Sequence, residues 1–239
     1  MPKVPPYNNS ESKKEQVTTM FDNIAESYDF LNHSLSFGLD NVWRKIAIKK
    51  LTNKPKKILD IATGTGDFAI SAAKYTTAQI TGIDISKGML NIGNKKIANK
   101  RLENRITLQQ ADSENLPFKN NSFDGMTAGF GVRNFENLQK GLKEMHRVLS
   151  NDGIVAILEP SIPKYFPIKQ FYNLYFHQVL PVIGSFISKD KNAYKYLPES
   201  VNEFPSGDKF INELKNAGFN RSKHIPLTLG IVSLYIAIK

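Results

Sequence analysis

The stretch ILDIATGTGD, residues 58–67, decides the fold class because its character changes at its centre. The apolar first half is typical of a buried strand, and the segment GDFAISAAKY (66–75) that overlaps its end is typical of a helix. Gly64 and Gly66 in the turn between them let the backbone approach a ligand closely, and the helix N-terminus offers free N–H groups. The spacing differs from that of the dinucleotide fingerprint, which has three spaced glycines. This strand–turn–helix unit therefore predicts a ligand site, with a tight packing turn as the alternative.

The alternation of strand-like and helix-like segments continues along the chain. Strand-like runs lie at 56–62, 78–84, 105–112, 122–128 and 153–160, with helix-like segments at 66–75, 86–100 and 137–150. Such alternation favours parallel pairing in a doubly wound sheet. The C-terminal segment reads as a helix followed by two strands that must pair antiparallel, since no helix separates them. The predicted fold class is α/β, with a mostly parallel seven-stranded sheet whose last strand is antiparallel.

Two segments interrupt this alternation and suggest the domain organisation. We expect a flexible tail over residues 1–15, without the apolar region of a secretory signal, and a single domain over 16–239. Within that domain, residues 16–55 are interpreted as an N-terminal helical lid, and 161–200 as an aromatic-rich insertion.

Composition limits the classes of function. The 239-residue chain has 41% hydrophobic and 23% charged residues, an ordinary globular composition, and no cysteine. The absence of cysteine excludes disulfides, cysteine-ligated metals and a cysteine nucleophile. The net charge of +10 has three possible explanations: binding to a nucleic acid, binding to an anionic membrane surface, or a generally basic proteome. The densest lysine patch, residues 94–105, is typical of a solvated helix face, and no transmembrane helix is predicted.

Polar residues follow the next two predicted strands. The second strand ends in Asp84, whose carboxylate is suited to accept hydrogen bonds from both hydroxyls of a ribose. Asp112 and Ser113 follow the third strand, where Asp112 is suited to an adenine amino group. Any one of these residues would more often be a cap or a surface residue. Together, at the carboxyl ends of consecutive strands, they predict a nucleoside site.

The motifs LDIATGTGD and ADSENLPF, with Asp84 between them, resemble the S-adenosylmethionine site of the class I methyltransferases. The motifs MFDNIAESYDFLNHSLSFG, FGVRN, MHRVLSNDG, FHQVLPVIG and YKYLPESVNEFP extend the resemblance, over nearly the whole chain, to the membrane-quinone C-methyltransferases of menaquinone and ubiquinone synthesis. The resemblance implies a Rossmann-like fold, S-adenosylmethionine as cofactor and S-adenosylhomocysteine as its product. It assigns cofactor contacts to Thr63, Asp84, Asp112 and Ser113, and the turn glycines Gly64 and Gly66 complete the predicted cofactor site. Gly129 departs from relatives that have serine before FG.

The reaction implied by this resemblance is methyl transfer to a ring carbon of a prenylated demethylmenaquinol. Such a carbon becomes nucleophilic when the adjacent phenol, with a pKa near ~10, ionises beside a cation or hydrogen-bond donors. The segment GFGVRN (129–134) ends the fourth strand, so we expect its glycines to make room for substrate and Arg133 to stabilise the phenolate, assisted by Asn134. The alternative is that Arg133 pairs with Asp124 or Glu159 and only fixes the loop.

Other parts of the chemistry stay open at this point. The candidate general bases are Tyr28, His177, Tyr194, Tyr196 and Glu199. No group of histidines and carboxylates has metal-ligand spacing, so no metal is predicted.

The aromatic insertion suggests where the lipid substrate binds. Residues 165–189 contain no Asp or Glu, which is typical of a cap for a prenyl tail, and Lys164, Lys169 and Lys189 would face anionic headgroups. Burial of this segment on the sheet is the alternative. We expect a cytoplasmic protein that contacts the inner face of the cytoplasmic membrane and binds no nucleic acid. A homo-oligomer is neither required nor excluded.

Three other functions are considered. The first is the homologous benzoquinol methylation of ubiquinone synthesis; the menaquinone branch is favoured because it includes many compact proteins without an organelle presequence. The second is RNA or protein methylation, but GFGVRN replaces the Asn/Asp-Pro-Pro-aromatic signature of amino-directed nucleic-acid enzymes, and cytosine-C5 enzymes need a cysteine. The third is a non-catalytic protein, which would bind S-adenosylhomocysteine without turning over any quinol.

Overall fold

The structure is a computed structural model that describes residues 4–7, 9–174 and 190–239. Its helices are α1 (Lys13–Leu35), α2 (Leu39–Lys49), α3 (Asp67–Tyr75), α4 (Lys87–Asn99), α5 (Leu138–Val148), α6 (Ile168–Leu174), α7 (Lys191–Glu203) and α8 (Asp208–Asn216). Its strands are β1 (Lys57–Ile61), β2 (Gln79–Asp84), β3 (Ile106–Gln110), β4 (Phe123–Gly129), β5 (Leu149–Pro160), β6 (Arg221–Leu227) and β7 (Val232–Ile238). Short 3₁₀ turns lie at Val132–Asn134 and Thr228–Gly230.

The seven strands form one sheet in the order β3-β2-β1-β4-β5-β7-β6. Strands β1 to β5 pair in parallel, and β7 runs antiparallel to both β5 and β6. The predicted α/β fold with an antiparallel last strand is therefore confirmed.

Both faces of the sheet are covered, which explains why apolar residues of the central strands point to both faces. Ile58 and Leu59 are adjacent in β1 and point to opposite faces, yet both are fully buried. Ile58 packs with α2, α3 and α4, whereas Leu59 packs with α5 and α8. The order of the strands reverses between β1 and β4, and an open α/β sheet binds its ligands at the carboxyl ends of the strands at such a point. The loops after β1, β2, β3 and β4 therefore meet at one crevice.

The N-terminal helix begins at Lys13, inside the range 1–15 that the sequence predicts as a tail. A capping box sets this start, because Ser12 and Glu15 each accept a hydrogen bond from the other's backbone N–H. The backbone N–H of Tyr7 also donates to the Gln16 side chain, at 2.8 Å, so this described part of the tail contacts the helix.

The aromatic insertion contributes α6 and the first part of α7 to the described structure. His177, Lys189 and the motif FHQVLPVIG lie outside the described residues, as does the side chain of Tyr194. Across the described ranges, we find no helix with both the length and the apolar character needed to cross a bilayer.

Candidate active site

A first cavity lies where the loops after β1 to β4 meet α1. It contains four of the predicted cofactor residues, Gly64, Asp84, Asp112 and Ser113. Thr63 and Gly66 belong to the same loop but do not line the cavity. Further lining residues, which the sequence had not indicated as cofactor ligands, include Lys14, Val17, Phe21 and Tyr28 of α1, and Ala62, Met89 and Phe130.

Asp84 is held ready to accept hydrogen bonds. Its Oδ2 accepts the backbone N–H of Gly64 at 2.8 Å, and its Oδ1 accepts that of Ser86 at 2.9 Å. Burial raises the pKa of Asp84 to about 6, although these two N–H groups oppose the shift. Each carboxylate oxygen has a lone pair left for a hydroxyl donor. The arrangement fits the two hydroxyls of a ribose.

Thr63 stabilises the β1–α3 loop without lining the cavity. Its Oγ1 donates to Asp60 Oδ2 at 2.5 Å, and Thr127 Oγ1 donates to Asp60 Oδ1 at 2.6 Å. Asp60 is fully buried, and burial raises its pKa to about 6. Gly66 is the N-cap of α3 and has a φ of +81°, a left-handed conformation that glycine adopts without a Cβ penalty. These two residues therefore hold the loop in shape, while Gly64 lines the cavity.

The end of the cavity that contains Asp112 is closed by the N-terminal helix. Asp112 Oδ1 accepts the backbone N–H of Glu114 at 2.8 Å, and Lys14 Nζ lies 2.7 Å from Asp112 Oδ2. Lys14 also lies 3.5 Å from Glu114. No motif in the sequence could connect Lys14 to Asp112, because they lie far apart in the chain and only the docking of α1 brings them together.

The two glycines of GFGVRN line the first cavity and also pack closely against neighbouring elements. A Cβ placed on Gly131 would lie 2.4 Å from Cβ of Ala62, and one on Gly129 would lie 2.8 Å from the ring of Phe68. The absence of a side chain therefore lets this loop pack directly against the β1–α3 loop and α3, and the expected role in making room for substrate stays a prediction. Their neighbours Ala62 and Phe130 have φ values of 49° and 61°, left-handed conformations that are strained for residues with a side chain.

A second, larger cavity adjoins the first. Its volume is about 410 Å³, and its walls are mainly apolar and aromatic side chains of α1, α2, α6 and α7 and of the Thr228–Gly230 turn. Phe21, Tyr28 and Phe130 line both cavities. An apolar molecule in the second cavity would therefore contact the same three side chains as a ligand in the first.

Arg133 lies in the wall of this second cavity and is paired with Glu159. Its Nη1 is 3.0 Å from Glu159 Oε2 and also donates to the carbonyl of Phe130, while Nε donates to Ser200 Oγ at 3.3 Å. Asp124, the other partner considered, instead accepts the backbone N–H groups that begin β1. Within the described part of the chain, these hydrogen bonds engage Nε and Nη1 but not Nη2. The guanidinium braces the loop and lines the cavity at the same time.

Asn134 and two of the candidate bases, Tyr28 and Tyr196, lie in the walls of the two cavities. Asn134 lines the first cavity, and its Oδ1 accepts a hydrogen bond from the hydroxyl of Tyr196 at 3.0 Å. Burial raises the pKa of Tyr196 to about 12 and also raises that of Tyr28. The raised pKa favours the protonated form of both phenols, and the choice of general base stays open. Glu199 is exposed on α7 and lines neither cavity.

The structure brings together one histidine–carboxylate cluster that spacing along the sequence did not indicate. Ligand atoms of His33, Asp40 and Asp67 all lie within 4.8 Å of one another. Arg44 Nη1 lies 2.5 Å from Asp40 Oδ2, the oxygen that is 2.6 Å from His33 Nδ1, and Arg44 also reaches Asp67 at 3.6 Å. A cationic side chain thus already neutralises these carboxylates, which favours an ion-pair network between α1, α2 and α3. The absence of a metal stays a prediction.

Comparisons with known proteins agree with this geometry. The model of the ubiE/COQ5 methyltransferase family matches residues 9–239. A demethylmenaquinone methyltransferase of Bacteroides fragilis is 46% identical over 99% of this chain and 98% of its own length. A ubiquinone/menaquinone biosynthesis C-methyltransferase UbiE of Geotalea daltonii is 48% identical over 95% of this chain and 97% of its own.

Solved structures show the same fold at lower identity. A putative S-adenosyl-L-methionine-dependent methyltransferase of Methanococcus maripaludis is 22% identical, with a TM-score of 0.63 over 98% of this chain and 95% of that one. The sheet order, the two adjoining cavities and a family match over almost the full length lead to one conclusion: the chain belongs to the ubiE/COQ5 methyltransferase family.

Proposed function

We propose that this protein transfers a methyl group from S-adenosylmethionine to a ring carbon of a prenylated demethylmenaquinol, giving menaquinol and S-adenosylhomocysteine. The observation that carries the proposal is the shared wall of Phe21, Tyr28 and Phe130 between a small cavity that contains Asp84 and a large apolar cavity. Methyl transfer needs donor and acceptor in line and in contact, and two cavities with a common wall can supply that alignment. The name of the Bacteroides fragilis relative supports this acceptor.

The cofactor would supply an electrophilic methyl group on sulfur, which the ring carbon attacks as its neighbouring oxygen ionises. The chain's own groups orient the two partners. In this scheme the Asp84 oxygens, which the N–H groups of Gly64 and Ser86 hold in position, accept the ribose hydroxyls, and Asp112 binds the adenine end. The apolar cavity holds the ring and excludes water, which strengthens the electrostatic interactions within it.

Arg133 is suited to stabilise the ionised ring oxygen. It is permanently charged, it lines the acceptor cavity, and Glu159 holds it in place. In this scheme the half-buried Tyr28 and the buried Tyr196 form parts of the cavity walls, and the Tyr196 hydroxyl donates to Asn134.

The substrate assignment is tested by a methyl-transfer assay with reduced acceptors. We expect turnover of demethylmenaquinol, and a lower or undetectable rate with the demethoxy-benzoquinol precursor of ubiquinone. The printed name of the Geotalea daltonii relative includes both pathways, so a faster rate on the benzoquinol would move the assignment to the ubiquinone pathway. Turnover of neither acceptor by soluble, cofactor-binding protein would overturn the proposal.

We also propose that the mouth of the acceptor cavity contacts an anionic membrane surface, from which a prenylated quinol would enter. Phe37 and Phe171 line the cavity while being 82% and 67% exposed, and Leu229, in the adjoining Thr228–Gly230 turn, is 70% exposed. Tyr165 and Phe166 are also exposed. Exposed apolar residues concentrated in this way on a chain of net charge +10 favour an anionic lipid surface.

Flotation with vesicles that contain anionic lipid tests this contact. The native protein should float with the vesicles at low salt, and the Phe37→Ser/Leu229→Ser double variant should lose most of that binding. Tyr75→Ser is the matched control, because Tyr75 is also partly exposed but lies on α3 and lines neither cavity. Failure of the native protein to float would refute the contact, as would equal binding by the double variant.

A further inference from the structure

The N-terminal helix α1 forms part of both cavities at once. Lys14 and Val17 line only the first cavity, and Met20 and Ile24 line only the second. Phe21, which follows Met20 directly, lines both cavities, as does Tyr28 two turns further along. A movement of α1 would therefore change the two cavities together.

Two carboxylates dock this helix onto the loops of the first cavity. Asp22 Oδ1 accepts the Ser86 hydroxyl at 2.6 Å and the backbone N–H of Gly88 at 2.8 Å, at the N-terminus of α4. Ser86 in turn donates its backbone N–H to Asp84. Ser86 thus connects Asp22 to Asp84, the carboxylate assigned to the ribose.

Asp29 makes the second docking contact. Its Oδ1 accepts the hydroxyl of Thr65, which lies between Gly64 and Gly66, and its Oδ2 lies 2.6 Å from Lys96 Nζ on α4. Asp22 and Asp29 are about two helical turns apart, so both lie on the face of α1 that packs against α4. One docks onto the loop after β2, and the other onto the loop after β1.

The size of the first cavity shows what this docking implies. Its volume is about 70 Å³. At ~10–15 Å³ for each water, that is room for roughly five waters, far less than a nucleoside joined to an amino acid requires. Admission of the whole cofactor requires a wall of this cavity to move, and α1, which supplies Lys14, Val17, Phe21 and Tyr28 to that wall, is the candidate.

We propose that Asp22 and Asp29 are positioning residues that couple the two cavities through α1, so that the cofactor binds before the acceptor. The inference rests on the proposed function for its two ligands. When α1 moves outward, the acceptor cavity loses Met20, Phe21, Ile24 and Tyr28 from its wall. Only when α1 docks again beside the bound cofactor is the acceptor cavity complete.

The single tryptophan gives a direct readout of this coupling. Trp43 lines the acceptor cavity, does not line the first cavity, and packs edge-on against Phe130. Addition of S-adenosylhomocysteine alone should change the fluorescence of Trp43. This measurement needs no acceptor and no turnover, so it separates failure of the coupling from failure of the substrate assignment.

The second measurement is the affinity for oxidised demethylmenaquinone, with and without saturating S-adenosylhomocysteine. We expect the native protein to bind it about tenfold more tightly when the cofactor product is present, within the usual range of coupling between sites. Asp22→Ala/Asp29→Ala should reduce this factor to about one and should raise the KM for the acceptor more than it lowers the affinity for S-adenosylhomocysteine. Asp22→Asn/Asp29→Asn should restore part of the coupling, since an amide oxygen still accepts the same donors.

Glu26→Ala is the matched control, because Glu26 is an exposed acid on the same helix and lines neither cavity. It should keep the full coupling. The proposal is overturned if native protein shows neither a Trp43 response nor any dependence of acceptor affinity on the cofactor product, a result that needs no variant to fold. It is equally overturned if the double alanine variant keeps the native coupling.

Discussion

Replacement of Arg133 by lysine is expected to lower the turnover number about 100-fold while the affinity for S-adenosylhomocysteine changes less than about threefold. Lysine keeps the charge and can still pair with Glu159. It cannot contact Glu159, the Phe130 carbonyl and a ring oxygen together, because it lacks the planar fork of a guanidinium. Steady-state kinetics with demethylmenaquinol and calorimetric titration of S-adenosylhomocysteine measure the two quantities.

The Arg133→Ala variant alone would not separate a loss of catalysis from a loss of stability. Glu159 is fully buried, and removing Arg133 would leave its carboxylate without its ion-pair partner, at a cost of about 3–5 kcal/mol in stability. The double variant Arg133→Ala/Glu159→Gln avoids this, because glutamine is neutral and its oxygen can still accept the Val132 N–H that Glu159 accepts at 2.6 Å. A folded double variant that turns over at near-native rate would show that Arg133 only braces the loop.

Replacement of Asp84 by alanine should weaken the binding of S-adenosylhomocysteine about 100-fold. Hydrogen bonds to a charged acceptor contribute about 1.5–3 kcal/mol each, so the loss of two weakens binding by at least about 100-fold. Calorimetric titration measures it directly, and the acceptor need not be present. An affinity within a few-fold of the native value would show that the ribose binds elsewhere.

The same carboxylate predicts how cofactor affinity depends on pH. Since burial raises the pKa of Asp84 to about 6, the group is ionised at pH 7.5 and becomes protonated as the pH falls through 6. A protonated carboxyl accepts hydroxyl donors less well, so affinity should be full above about pH 7 and decline below about pH 6. Asp84→Asn is the control: its weakened binding should lose this pH dependence, even though Asp60 has a similarly raised pKa.

The acidic residues at the strand ends could be predicted from sequence because a parallel sheet imposes the geometry. The segments that end in Asp84 and Asp112 had the apolar pattern of neighbouring strands, and parallel strands bring their carboxyl ends to one edge. For Thr63 and Gly66, the sequence placed both residues in the turn between β1 and α3 but did not indicate what each one contacts. Thr63 turns its hydroxyl toward Asp60, a direction that depends on the neighbouring strand β4 through Thr127.

The position of α1 could not be predicted in the same way. Its helical pattern suggested a lid, yet nothing local indicates that Lys14 reaches Asp112 or that Asp29 reaches Thr65. These contacts join residues that are 98 and 36 positions apart in the chain. They depend on how α1 packs on α4, not on the local preference of either segment.

The sequence by itself determined the doubly wound sheet, the antiparallel last strand and the edge that carries the cofactor residues. It could do so because hydrophobic period and turn chemistry are properties of neighbouring residues. Only the tertiary structure decided that Glu159 is the partner of Arg133, that Gly131 is needed for contact with Ala62, and that one helix forms a wall of both cavities. Each of these depends on the distance between groups remote in the chain, which is set when the helices pack against the sheet.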